Sequence, residues 1–351
     1  MAASELRADG DQGPVAMSAQ PIPVEFDQAL RELGLAGPRP LTGWPLTGGV
    51  SSDIWCVQTD QGQVCAKRAL AKLRVAADWR APIERNLYEA RWMQRAQIAA
   101  PGSVPRVLGQ HLGLGVLVME YLPPSNHPLW KSLLRDGQVD LSTARAVGGL
   151  LARIHADSAA RPELAAQFDS QQIFFDIRLE PYLLATALRH PGLAPSLQQL
   201  VAVTQASACA LVHGDVSPKN ILVGPQGPVL LDAECACWGD PAFDIAFCLN
   251  HLLLKCLWNP EATLSYLAAF DALAQTYLQA VDWEPPEALQ RRAAALLPGL
   301  LLARVDGKSP VEYITRDDQR DLVRRFAAPL LRQRADSLQV IAVAWREELE
   351  Q

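Results

Sequence analysis

Along this chain the spacing of apolar and polar positions changes period several times. After a polar leader, "EFDQALRELGLAG" places apolar residues at helical spacing and ends in Gly, which predicts a short helix. Between residues 41 and 70 the period falls to two. There "DIWCVQT" and "QVCAKRAL" alternate as strands do, and "DQG" between them predicts a hairpin turn. Residues 82–98 return to a helical pattern, opened by Pro82. "GVLVMEYL" is strand-like, and "PPSNHP" breaks the chain after it. Everything up to about residue 122 reads as a small, sheet-rich lobe with one main helix.

From about residue 141 helical patterns dominate. "STARAVGGLLARIHADSA" carries Val147, Leu150, Leu151 and Ile154 on one side. Short strands return at "LVHGDV", "ILVG" and "PVLLDAE", with Gly227-Pro228 as the expected turn between the last two. The Ala- and Leu-rich remainder predicts several helices parted by "WEPPE" and "DGKSP". The expected organisation is a flexible tail over 1–20, an N-terminal lobe over 21–122 and a helical C-terminal lobe over 123–351.

Composition narrows the function classes. With 351 residues, 49% of them hydrophobic, the chain is long enough for a two-lobed enzyme with a large core. A formal net charge of -6 and the lack of a long Lys/Arg run exclude nucleic acid as the expected partner. The leader has no apolar stretch of secretory length, and the longest apolar runs, such as "LLPGLLLARV", are too short or interrupted to span a bilayer. The seven Cys are odd in number and mostly in apolar surroundings, which predicts reduced core thiols and a cytoplasmic protein. Cys235-Ala-Cys237 lacks a second Cys pair at zinc-site spacing.

The chemistry concentrates in "LVHGDVSPKNILV" and the following "VLLDAECACWGDPAFD". Asp215, Asn220 and Asp232 carry side-chain oxygens at the ends of apolar strand segments. A short hairpin over 220–232 brings Asn220 and Asp232 near each other. Such oxygens, with phosphate and water, suit Mg²⁺, and Asp215 is left to accept a proton from a hydroxyl.

His213-Gly214-Asp215 with Asn220 resembles the catalytic loop of the aminoglycoside phosphotransferase and choline kinase-like branch of the protein-kinase-like fold. Asp232-Ala-Glu234 resembles the metal-binding acidic pair of these families, and "WGDPAFDIA" resembles their "GDP…D" run. The resemblance implies an α+β, two-lobed protein-kinase-like fold with a small antiparallel-sheet N-lobe and a larger, mainly helical C-lobe. It also implies an ATP- and Mg²⁺-dependent kinase acting on a hydroxyl of a small metabolite or antibiotic-like molecule. Asp215 would be the base or hydroxyl-orienting carboxylate, Asn220 and Asp232 the metal ligands, and His213 a positioning residue. Asp244 would brace the loop. Glu234, one methylene longer than the Asp commoner there, would reach the metal directly or through water.

Kinases of this fold need a lid over the phosphates, a strand Lys and a helical Glu. Gly48, Gly49, Ser51 and Ser52 in "LTGGVSSDIWCV" offer the lid. "VCAKRA" offers Lys67, with Val64 and Ala66 where a "VAIK"-like strand has them. Of two candidate partners, Glu89 lies beside apolar residues and is chosen over Glu84, nearer the helix start. "LVMEYL" resembles the inter-lobe hinge, whose backbone from Glu120 to Leu122 would bond adenine.

The acceptor pocket is expected in the C-terminal lobe. Arg304, Asp306 and Lys308, with Glu312, offer a charged mixture able to clamp a carboxylate or phosphate, set against a plain helix end at Gly307 and a new start at Ser309-Pro310. Asn250, His251 and Lys255 read first as packed or solvated residues. Two other classes stand beside the kinase reading. One is a catalytically silent nucleotide-binding regulator. The other is a protein kinase, which the eleven residues between Asp232 and Asp244 and the absence of "DFG" and "APE" disfavour. The expected partners are ATP and a small hydroxylated substrate, without nucleic acid or membrane; the sequence sets no oligomeric state.

Overall fold

The computed structural model describes residues 19–46, 51–72, 74 and 81–351. Gly48 and Gly49 lie outside the described residues. The first part of the chain forms β1 (Gln20–Pro21), α1 (Val24–Glu32), β2 (Thr42–Pro45), β3 (Ser52–Thr59), β4 (Gly62–Ala69), α2 (Arg85–Ala99), β5 (Val107–His111) and β6 (Val116–Glu120). The six strands make one antiparallel sheet in the order β1-β2-β3-β4-β6-β5.

Strand alternation sorts the side chains of β4 onto two faces. Val64 and Ala66 join Phe26, Ala29 and Leu30 of α1 in a small core that also holds Val116 and Val118. Cys65 and Lys67 occupy the opposite face, where Lys67 meets α2. That helix starts at Arg85, three residues later than the expected Pro82. The carbonyls of Pro82, Ile83 and Glu84 accept the amides of Arg85, Asn86 and Leu87, so a tighter turn precedes the helical ladder.

The larger part contains α3 (Trp130–Arg135), α4 (Leu141–Ala159), α5 (Gln171–Phe174), a π-helical stretch Phe175–Leu184, α6 (Ala185–Arg189) and α7 (Ala194–Ala206). Four short strands follow: β7 (Ala210–Val212), β8 (Ile221–Gly224), β9 (Gly227–Leu230) and β10 (Cys237–Gly239). The chain finishes in α8 (Pro241–Trp258), α9 (Thr263–Gln279), α10 (Pro286–Asp306), α11 (Asp317–Gln333) and α12 (Leu338–Leu349). This is the two-lobed α+β arrangement of a small antiparallel sheet and a mainly helical body. Every residue of α8 from Pro241 to Leu257 is buried, so this helix is the axis of the helical part. No helix of the described residues is long and apolar enough to cross a membrane. All seven cysteines are free thiols.

Two local details differ from expectation. The β8–β9 turn falls on Pro225-Gln226, because Gly224 pairs with Gly227. Gly227 opens β9 at φ 127°, a conformation that side-chain-bearing residues rarely adopt. In addition, β10 pairs antiparallel with β7. That pairing ties the chain just before α8 to the strand that enters the His213 turn.

Candidate active site

β7 delivers His213, Gly214 and Asp215 into a turn held by α8. The two carboxylate oxygens of Asp244, in the first turn of that helix, accept the amides of His213 at 2.7 Å and Gly214 at 2.8 Å. Asp244 is fully buried, and the Nε2 of His155 lies 3.2 Å from it. The other ring nitrogen of His155 is 2.8 Å from the Tyr277 hydroxyl, so this α4 histidine belongs to the same brace. Gly214 adopts φ 75°, and a Cβ there would lie 2.7 Å from the Cys235 carbonyl oxygen. Both the conformation and the close approach require glycine.

The buried carboxylate of Asp215 is asymmetric. Its Oδ2 lies 2.7 Å from the Arg178 guanidinium, 3.0 Å from Lys219 Nζ and 2.8 Å from Asn220 Nδ2. Its Oδ1 has no hydrogen-bond partner among the described residues. Burial opposes the charge of Asp215, but Arg178 and Lys219 outweigh it and hold the carboxyl below its ordinary pKa. Arg178 comes from the π-helical stretch and also donates to the Gly214 carbonyl at 2.8 Å. Sequence reasoning missed it because no motif surrounds "DIRLE". The available signal was an arginine between apolar residues, since a buried guanidinium needs an anionic partner.

His213 is neutral and fully committed. Its Nδ1 accepts the Asp215 amide at 3.1 Å, and its Nε2 lies 3.0 Å from the Leu231 carbonyl. Burial lowers its pKa, and Trp92 packs edge-on against the ring at 4.7 Å. Both nitrogens are used in positioning, which leaves none for taking a substrate proton.

Across the seam, Lys67 of β4 donates to Glu89 of α2 at 2.7 Å and also to Asp232. Glu84 stands at the N-terminal boundary of α2 without a side-chain capping bond. Burial pushes Glu89 up to about 7. Although burial also opposes the Lys67 charge, Asp232 and Glu89 keep that ammonium protonated, and Lys67 in turn holds Asp232 ionised. Asp232 sits at φ 65°, one of the few non-glycine residues in the left-handed region. Such a conformation is retained where the surroundings over-determine it. The β8–β9 hairpin places Asn220 beside this segment, with the Leu231 amide donating to the Asn220 carbonyl at 2.8 Å.

Glu234 departs from the expected metal set. Its carboxylate accepts Arg85 Nε at 3.0 Å. The same buried guanidinium donates to the carbonyls of Ser51 at 2.6 Å and Leu70 at 2.8 Å. Arg85 therefore links Glu234 to the start of β3 and the end of β4, a role that nothing in "PIERNLYEA" announced.

The remaining donors fit Mg²⁺ modestly but coherently. Asn220 spends its amide nitrogen on Asp215 and keeps a side-chain oxygen, and Asp232 adds a carboxylate. Among the described residues no three His, Cys, Asp or Glu side chains gather as a metal-binding group. Two hard oxygens suit a cation that takes the rest of its octahedron from phosphates and water.

The other predicted residues vary. Ser51 and Ser52 are buried, and Ser52 Oγ has no hydrogen-bond partner among the described residues. The Glu120 amide is taken by the Arg106 carbonyl at 2.9 Å, so an adenine edge would have to use the Glu120 carbonyl and the Leu122 amide. Arg304, Asp306 and Lys308 do not act together. Asp306 is held by Arg324 at 2.6 Å and His190 at 2.7 Å, while Lys308 pairs with Glu180 at 2.6 Å. Only Arg304 lines a cavity next to the Asp215 turn, and Lys219 lines it too.

The model of the phosphotransferase enzyme family matches residues 42–261. This chain belongs to that family. Methylthioribose kinase 1 of Oryza sativa subsp. japonica is 25% identical over 232 residues, which are 57% of this chain and 53% of the relative. The chain thus spans about half the length of the curated relatives it matches. Among solved structures, a Plasmodium vivax ethanolamine kinase superposes with a TM-score of 0.52 at 14% identity, over 84% of each chain. An amicoumacin kinase in complex with AMP-PNP and Ca²⁺ gives 0.52 at 15% identity, over 89% of this chain and 95% of that one. These likenesses establish the two-lobed fold of this phosphotransferase family member.

Proposed function

We propose that this chain transfers the γ-phosphoryl group of ATP to a hydroxyl of a small molecule. The observation that carries the reading is the unequal pair of oxygens on Asp215. Oδ2 is held by Arg178, Lys219 and Asn220, while Oδ1 is buried without a partner. A hydroxyl donating to Oδ1 gives that orphan oxygen its bond and aims the nucleophile. Because the Asp215 pKa lies low, its main work is orientation, with the proton accepted as the oxygen–phosphorus bond forms.

Lys67 supplies positive charge to the nonbridging phosphate oxygens, with Glu89 holding its stem in place. Asn220 and Asp232 would hold Mg²⁺, which when bound would neutralise phosphate charge. Ser51, Ser52 and the segment with Gly48 and Gly49 would cover the phosphates. The Glu120 carbonyl and Leu122 amide would take the adenine edge. The link from Asp232 to Asp244 is filled by β10 and the start of α8, which leaves no long segment of the kind that docks a protein substrate. The family's match supports a small-molecule acceptor.

The test is a coupled ADP-release assay over hydroxylated metabolites and antibiotics with ATP and Mg²⁺. Asp215→Ala should lower turnover by about two to four orders of magnitude. ATP binding without phosphate transfer to any acceptor would favour a nucleotide-binding regulator instead.

A further inference from the structure

Resting on the phosphotransferase reading, we infer that the acceptor carries a carboxylate, held beside Asp215 by Lys255, Arg304 and His251. The cavity that Arg304 and Lys219 share is lined also by Lys131, His251, Lys255 and Tyr313. It neighbours the candidate catalytic carboxylate through Lys219, whose Nζ is 3.0 Å from Asp215 Oδ2.

The lining is built for a negative guest. Lys255 is 1% exposed, and among the described residues no carboxylate lies within ion-pair distance of it. Its ammonium stands 3.9 Å from the Trp258 ring centre and 4.2 Å from that of Tyr313, two rings stacked 4.4 Å apart. Among the described residues Arg304, 7% exposed, meets only neutral oxygens: the Tyr182 hydroxyl at 3.1 Å, Ser309 Oγ at 3.1 Å and the Ser309 carbonyl. Among the described residues its Nε has no hydrogen-bond partner, and neither do His251 Nε2 or the Tyr313 hydroxyl, all of them buried.

Buried cations and orphan donors in one place are unfavourable unless something pairs them. The carboxylate in the lining, Glu312, is already engaged by Lys131. Aromatic faces recover only part of what a buried cation loses on desolvation. Burial and the nearby Lys131 and Arg304 push Lys255 down to about 6, whereas an anion in the cavity would restore its charge. A carboxylate oxygen placed there meets the orphan Arg304 Nε and the Lys255 ammonium, with His251 and Tyr313 at its margin. The cavity is small, about 20 Å³, room for one water-sized group, so a single oxygen of the carboxylate enters it. A quaternary ammonium or polyamine acceptor would add positive charge to a site that already has an excess.

The experiment is thermal unfolding of the full chain with MgADP present, so no phosphate transfer is needed. The probes are hydroxy-carboxylates of three to six carbons, beginning with glycerate, against their neutral amides and against choline. At a hundredfold excess over Kd, a bound carboxylate should raise Tm by roughly 3–5 °C, while the amides and choline give less than about 1 °C. Lys255→Met should abolish the carboxylate shift and keep the MgADP shift. It should also raise the Tm of the ligand-free protein, because a desolvated amine without a hydrogen-bond acceptor is replaced by an apolar stem; a merely structural ring contact would make Tm fall. Arg304→Gln should weaken the carboxylate shift in the same direction. Equal shifts from amides or choline, a carboxylate shift that survives Lys255→Met, or no carboxylate shift in protein that responds to MgADP would each overturn the inference. Loss of the MgADP response itself would remove the kinase reading and the inference with it.

Discussion

Lys67 and Asp232 are 165 positions apart in the chain, yet the strand ammonium donates to the carboxylate across the seam between the two lobes. The same ammonium holds Glu89 at 2.7 Å. One cation thus faces two carboxylates, and removing it leaves both without a partner.

Lys67→Met should therefore injure both nucleotide binding and the fold. Breaking a buried pair by deleting one partner costs about 3–5 kcal/mol, and the exposed edge of Asp232 places the effect at the lower end, about 3 kcal/mol. Urea unfolding measures the stability change, and titration with MgADP should show affinity falling at least about tenfold. Unchanged affinity would remove Lys67 from the phosphate site.

The low pKa of Asp215 has a sign that can be checked. Arg178 and Lys219 favour the ionised form, so the acid limb of the kcat profile should lie below the ordinary carboxylate value of about 3.9. Asp215 itself should contribute no fall in activity between pH 7 and about 5. Arg178→Gln removes one favourable charge and should move that limb upward by about one pH unit or more. A limb that does not move would mean that another group sets it.

Asp244→Ala should be worse than its distance from the substrate suggests. The two amides at 2.7 and 2.8 Å would lose their acceptor in a buried site. Each unsatisfied group costs about 1–3 kcal/mol. Expected are a loss of stability of about 2–5 kcal/mol and a slower kcat with little change in the KM for ATP, read by unfolding and steady-state kinetics.

Lys255 predicts a proton count. Facing it are Lys131 and Arg135 of α3, Lys219 of the catalytic turn, His251 of α8, Arg304 of α10, and Glu312 and Tyr313 beyond α10. With its pKa near 6 in the empty cavity, Lys255 is mostly neutral at pH 8. A carboxylate raises that pKa, so binding at pH 8 should take up close to one proton. Calorimetry of glycerate binding in buffers of different ionisation enthalpy measures this directly; heats independent of buffer would contradict it.

Much of the site was legible because its chemistry sits at the ends of regular patterns. The alternation of "VCAKRA" put Lys67 on one face of a strand, and the apolar neighbours of Glu89 put that carboxylate on the inner side of α2. The spacing from Asp215 to Asn220 to Asp232 survives folding because one short hairpin spans it. What stayed illegible depends on contacts between distant segments. Arg178 and Arg85 are single arginines without a motif, and their partners lie 37 and 149 positions away. Arg85 holds one carboxylate oxygen of Glu234, which the family resemblance had placed at the metal directly or through water. The separation of Arg304 from Asp306 and Lys308 has the same origin. Neighbours in sequence at a helix end face different partners once α11 and the π-helical stretch pack around them. The strand β10 was too short to carry a period.

The most direct measurement is ³¹P nuclear magnetic resonance of the purified chain with ATP, Mg²⁺ and hydroxylated acceptors, comparing wild type with Asp215→Asn. The account predicts a growing phosphomonoester signal with stoichiometric ADP in wild type. In the variant that signal should be suppressed at least about a hundredfold while ATP binds as before. A variant that forms the ester at the wild-type rate would contradict the central role given to Asp215.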